Sequence, residues 1–230
     1  MMPAVRESLL DAAFAALARR PWPTVRMVDV AAAAGVSRQT LYNEFGSKEG
    51  LARALVRREA DGYLAGVERA LAGTAGTSGT AGTSGTAGTS GTAGTSGTSG
   101  TADTSDPRER LTAAAEWTAS AARDNALVRA MLTGCWSERL PAPTLSSVPS
   151  SSVVPAQRRA DGALPSPGDF VQIVRDRAVA VLAEAAAADR GELGRSCELA
   201  VRLALSCVAA PPGDGGVAEL IRGALRRQPV

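Results

Sequence analysis

Three features of the sequence predict an all-α fold. Apolar residues make up 45% of the 230-residue chain while aromatics make up 3%. Alanine recurs in runs such as Ala31–Ala34 and Ala185–Ala188, and alanine favours helices where strands favour aromatic and β-branched residues. Apolar residues also return at three- and four-residue spacing, the period of a helix with one buried stripe. The length suits a small N-terminal module followed by a larger domain with its own core.

Taken in order, Leu9, Leu10, Ala13, Phe14 and Leu17 describe a first helix between Arg6 and Arg19, ended by Pro21 and Pro23. Thr24 is expected to cap a second short helix running through Val25, Val28 and Ala32, stopped by Gly35. Ser37 should cap a third that reaches Phe45. Gly46 then closes it, and Ser47 caps a fourth helix reaching Leu71. Residues 73–101 break every pattern: the hexapeptide AGTSGT starts at Ala75, Ala81, Ala87 and Ala93. With no large apolar side chain to bury, this repeat reads as a disordered linker. Pro107 can open the next helix, with Leu111, Ala114, Ala115 and Trp117 inward, and another follows over Ala126–Glu138. Residues 141–168 are rich in Pro and Ser and read as a long loop. Phe170–Ala188, Glu192–Ala209 and Val217–Arg227 complete a tally of about nine helices.

Charge and composition narrow the function. Residues 1–58 hold nine Arg/Lys against five Asp/Glu, an excess of four, which suits a polyanionic partner. The chain has no His, and its three cysteines (Cys135, Cys197 and Cys207) lack CxxC spacing, so neither a metal site nor a disulfide framework is expected. No nucleophile elbow or phosphate-cradling glycine loop appears, which argues against an enzyme, and no cofactor is implied. The N-terminus lacks a signal-peptide pattern, and Leu199–Ala210 is too short to span a bilayer and carries Arg202, so a cytoplasmic protein without membrane attachment is expected.

The informative stretch is Thr24–Lys48, TVRMVDVAAAAGVSRQTLYNEFGSK. Two helices around a turn at Gly35, with Leu41 and Phe45 inward, leave Arg38, Gln39, Thr40 and Asn43 outward. Arg can donate twice to guanine, Gln and Asn can pair with adenine, and hydroxyls and backbone amides at a helix start can hold phosphate. The segment resembles the TetR family at Ala34–Ser37, Leu41–Tyr42, Phe45 and Lys48, a likeness that covers residues 6–58. That resemblance implies an N-terminal three-helix helix-turn-helix DNA-binding domain (residues 1–47), joined through helix 4 (48–72) and the linker (73–106) to a helical effector-binding and dimerisation domain (107–230). It makes Arg38, Gln39 and Asn43 the base readers and places Ser37, Thr40, Tyr42 and Lys48 near phosphate. Lys48 is the chain's one lysine, beside 24 arginines. The family often has Thr-Thr before helix 2, where this chain has Val25-Arg26; phosphate contact there passes to Arg26.

The resemblance further implies an effector pocket and a homodimer. Trp117, Met131, Cys135, Trp136 and Phe170 are candidates to line a pocket for an apolar or aromatic small molecule, with ordinary core packing the competing role. Leu199, Leu203, Val217, Leu220 and Ile221 are candidates for the dimer interface, against burial in the chain's own core. Two recognition helices are needed to read a pseudo-palindromic double-stranded operator. The expected function is a ligand-responsive repressor; a DNA-binding regulator or architectural protein without a small-molecule effector is the alternative.

Overall fold

A computed structural model describes residues 3–73, 106–141, 165–183, 190–213 and 216–226. Among them are nine α-helices and one 3-10 turn, and no strand: α1 (Pro3–Arg19), the 3-10 turn (Trp22–Thr24), α2 (Met27–Ala33), α3 (Arg38–Phe45), α4 (Lys48–Leu71), α5 (Pro107–Asp124), α6 (Ala126–Thr133), α7 (Pro167–Ala183), α8 (Arg190–Ala209) and α9 (Gly216–Arg226). The expected linker lies outside the described residues, as does most of the Pro/Ser-rich stretch after residue 141.

Capping side chains set several boundaries. The Ser37 hydroxyl accepts from the Thr40 N–H at 3.0 Å, and the Ser47 hydroxyl accepts from Gly50 N–H at 3.1 Å. Gly46 turns the chain between α3 and α4 at φ +71°, a conformation that costs a residue with a Cβ. Asp106 caps α5 through the Arg108 N–H, with Pro107 in the first turn.

Two boundaries and one stripe differ from expectation. Thr24 does not cap α2; it ends the 3-10 turn, and its hydroxyl donates to the Pro21 carbonyl at 2.8 Å. Arg26 takes the N-cap position instead, without a side-chain cap. The inward face of α2 is Met27, Val30 and Ala31, so Val28 is left 48% exposed. The helix expected over Ala126–Glu138 stops at Thr133, because Gly134 adopts φ +72° and its N–H donates to the Ala130 carbonyl.

Packing runs through α4 and α5. Helix α1 packs on α2 and α4, while α5 packs on α4, α8 and α9, and α7 on α8 and α4. Leu9, Leu10, Leu41, Leu51 and Leu55 fill the N-terminal end of one continuous core, and Phe170, Leu127, Leu182 and Ile221 its C-terminal end; each such side chain contributes about 1.5–3 kcal/mol by leaving water. Small residues permit close approach. A Cβ on Gly66 would come within 2.1 Å of the Trp117 ring.

Candidate nucleic-acid interface

Helix α3 is short, and its seating determines where its outer face points. Leu41 is fully buried beneath it. Glu44 accepts from Arg6 of α1 at 2.7 Å, with the Glu44 side chain nearly covered, and the same guanidinium sits 5.0 Å from the Phe45 ring centroid. Thus α3 is anchored to α1 by an ion pair and a ring contact as well as by its leucine.

The opposite face is exposed and polar. Gln39 donates to the Asn43 side-chain carbonyl at 2.8 Å, one turn along, which aligns the two amides and leaves a Gln39 oxygen and the Asn43 NH2 outward. Arg38 lies over the Tyr42 ring at 5.2 Å and makes no hydrogen bond or ion pair among the described residues, so its donor edge is free. The Thr40 and Ser37 hydroxyls bond each other at 2.8 Å at the helix start. Arg38, Gln39 and Asn43 therefore share one solvent face, with Thr40 and Tyr42 half-buried at its edges.

Two of the expected phosphate contacts, Arg26 and Lys48, are tied down. Arg26 is 73% exposed yet binds Asp29 through two nitrogens, at 3.1 Å each. Arg20 reaches the same carboxylate at 3.0 Å. The Arg26 hydrogen bond, with Arg20 assisting, holds Asp29 below the usual carboxylate range. One acid thus offsets part of the local positive excess. Lys48 donates to the Pro23 carbonyl at 2.9 Å, and its ammonium lies 5.5 Å from the Trp22 ring centroid. Partial burial pulls this ammonium below its ordinary value, with Glu49 opposing. Trp22 was not legible as a site residue, since it stands between two prolines that read as a helix stop. Buried, it forms the platform beneath Lys48.

Residues 9–55, which hold the greater part of α1, all of α2 and α3 and the start of α4, match the model for "Bacterial regulatory proteins, tetR family". Through this segment the chain is similar to the tetR family. It is 46% identical over 72 residues to the HTH-type transcriptional regulator AlkX of Mycobacterium tuberculosis (strain ATCC 25618 / H37Rv), a match spanning 31% of this chain and about a third (34%) of that protein's length. A putative TetR-family transcriptional regulator from Rhodococcus sp. shares the fold, with 19% identity, a TM-score of 0.50 and 98% of each chain covered. The TetR family repressor AlkX from Dietzia sp. strain DQ12-45-1b, implicated in biodegradation of n-alkanes, aligns at 18% identity and a TM-score of 0.49 over 96% of each chain.

In the C-terminal half of the chain the candidate pocket and interface residues lie in differing surroundings. Met131 and Phe170 are buried in the core, Phe170 edge-on to Tyr63 with centroids 6.1 Å apart. Trp117 packs on α4 and donates to the Tyr63 backbone carbonyl at 3.2 Å. Cys135 and Trp136 follow Gly134 and so leave the helix, and Cys135 is exposed. Between α4, α5, α7 and α8 the structure leaves a cavity of about 10 Å³ beside Leu71, Thr118 and Val201, one water at most. Of the interface candidates, Val217 and Ile221 turn into the chain's own core, being one face of α9 with Leu225; Leu199 and Leu203 are half-buried and Leu220 is 42% exposed. Among the described residues no helix is long and apolar enough to cross a membrane.

A polar chain that the sequence did not reveal links the two halves. Arg58 of α4 donates to Asp11 of α1 at 2.7 Å and to Glu59 at 2.9 and 3.1 Å. Glu59 accepts from Asn125 at 2.7 Å, and the Asn125 carbonyl oxygen caps α6 through the Leu127 N–H. Helix α1, on which α3 is anchored, is thereby connected to the start of α6.

Proposed function

We propose that the protein is a homodimeric transcriptional repressor that reads a pseudo-palindromic operator with α3 and is released from it by a small molecule. The carrying observation is the outer face of α3: Arg38, Gln39 and Asn43 project from a helix anchored by Leu41 and the Arg6–Glu44 pair. Arg38 suits guanine, and the paired amides suit adenine. Ser37, Thr40, Tyr42, Lys48 and Arg26 flank that face as phosphate contacts, Lys48 and Arg26 by redirecting donors now used within the protein.

One recognition helix spans too few bases for a specific site, so two copies are needed, with half-sites about a helical turn apart or a multiple of it. Leu199 and Leu203 on α8 and Leu220 on α9 form the pairing surface in this reading. The proposed division is a DNA-reading part to residue 47, α4 as the connector over 48–72, a linker over 73–106, and an effector-binding and dimerising part from 107 onward.

Selection from a randomised duplex library tests the reading. The purified chain should enrich two inverted half-sites at fixed spacing. Recovery of unenriched sequence, or of a single half-site, would overturn it.

A further inference from the structure

We infer that the cleft between α1 and α6 is a regulatory ligand site for a small carboxylate carried on an apolar body; its effect on the operator rests on the DNA-binding reading above. The cleft has a volume of about 410 Å³, within the range of ligand pockets, roughly 300–1,000 Å³. Phe14 and Leu17 of α1 form one wall, Leu127 of α6 and Leu140 the apolar part of the other. Arg129 and Arg139 also line it, and neither guanidinium has a hydrogen bond or ion pair among the described residues. Asp124, the acid among the lining residues, accepts from Ser120. A partly apolar cleft edged by two guanidinium groups without a partner among the described residues selects an anion that can take paired N–H donors, as a carboxylate does.

The position gives such a ligand leverage. Phe14 lies under the Arg58 guanidinium, 5.9 Å from its ring centroid, and Asn125, another lining residue, is the far end of the Asp11–Arg58–Glu59–Asn125 chain. Beyond α6, the Trp22 N–H donates to the Arg139 carbonyl at 2.8 Å and ties the loop after α6 to the turn before α2. A molecule seated between Phe14 and Leu127 spreads α1 from α6 and strains both ties, which tilts α3 through its Arg6–Glu44 anchor. Ligand and operator then oppose each other reciprocally, by about 5–150-fold.

The cleft holds its own reporter, since Cys135 lines it and is exposed while Cys197 and Cys207 are buried. The full chain is treated with N-ethylmaleimide with and without decanoate, kept below its micelle-forming concentration, and labelling of Cys135 is followed by mass spectrometry. Decanoate should slow labelling saturably by about tenfold or more, whereas decan-1-ol and decyltrimethylammonium should not; the double variant Arg129→Gln/Arg139→Gln, altered at exposed unpaired groups, should lose the protection. Absence of protection, equal protection by the cationic amphiphile, or protection undiminished in the double variant each overturns the site. Labelling needs no DNA, so an arginine-dependent protection in a chain that fails to bind any selected duplex upholds the cleft and rejects the DNA reading. Arginine-dependent protection without loss of operator affinity overturns the coupling.

Discussion

Gly50→Ala should damage operator recognition out of proportion to its size. Gly50 lies in the first turn of α4, and a Cβ there would stand 1.9 Å from the Phe45 carbonyl oxygen at the end of α3. Ordinary contact begins near 3.4 Å, so the two helix ends must separate by about 1.5 Å, and the obstacle is backbone that cannot rotate aside. Overpacking of this kind costs ~1–3 kcal/mol, partly offset by the roughly 1 kcal/mol helical advantage of Ala over Gly. A net loss of up to about 2 kcal/mol in stability follows. The displaced element is α3, and a shift beyond 1 Å exceeds the window in which a side chain can keep a hydrogen bond to a base edge. Each base-reading pair is worth ~1–3 kcal/mol; lost from both recognition helices of a dimer, it amounts to about 30-fold or more in affinity. The assay is titration of operator and random duplexes at fixed salt, alongside thermal melting. Gly62→Ala is the control on the same helix, where an added Cβ meets nothing within 4 Å; it should leave binding unchanged and raise stability slightly. Wild-type operator affinity in Gly50→Ala would refute the rigid α3–α4 seating.

Lys48→Ala should weaken cognate and random DNA alike and lower the slope of log affinity against log salt by about one. It should also lower the melting temperature, because the Pro23 carbonyl loses its donor; a lowered melting temperature with an unchanged salt slope would make Lys48 a structural pin alone. Gln39→Ala should leave the slope in place, cost ~1–3 kcal/mol on the operator, and relax preference at one symmetric pair of positions; an equal loss on random DNA would show that Gln39 does not face bases. Leu220→Arg changes a side chain 42% exposed in the protomer and should yield a folded monomer by light scattering, with a surviving dimer placing the interface elsewhere. Burial pushes Tyr63 up to about 12 from 10, with the Thr118 hydroxyl opposing, and Cys197 up to about 11 from 9. Folded pKa values above unfolded ones mean stability that is whole below pH 9 and declines as pH rises towards 12. Urea unfolding across that window should show a shallower decline in Tyr63→Phe, by roughly 2 kcal/mol; identical curves would mean that Tyr63 ionises as freely folded as unfolded.

Around α3 the local signals in this sequence were sufficient for the local structure, though not at Thr24 or Gly134. Ser37, Gly46 and Ser47 bound α3 and α4 because capping and a positive-φ turn are decided within a few residues, and the alternation around Leu41 gives α3 its outward polar face for the same reason. What distant residues decide was not legible. Asp29 stands within a turn of Arg26, but nothing local announces that it must also answer Arg20, and nothing near Lys48 announces Pro23 and Trp22 as its partners. Gly134 turns Cys135 away from the core and towards α1, a wall set by the packing of a helix more than a hundred residues earlier in the chain. On α9, Val217, Leu220 and Ile221 read as one stripe, yet the crossing of α9 on α5 buries two and leaves Leu220 outside: helical periodicity says which residues share a face, while only tertiary packing says what that face meets.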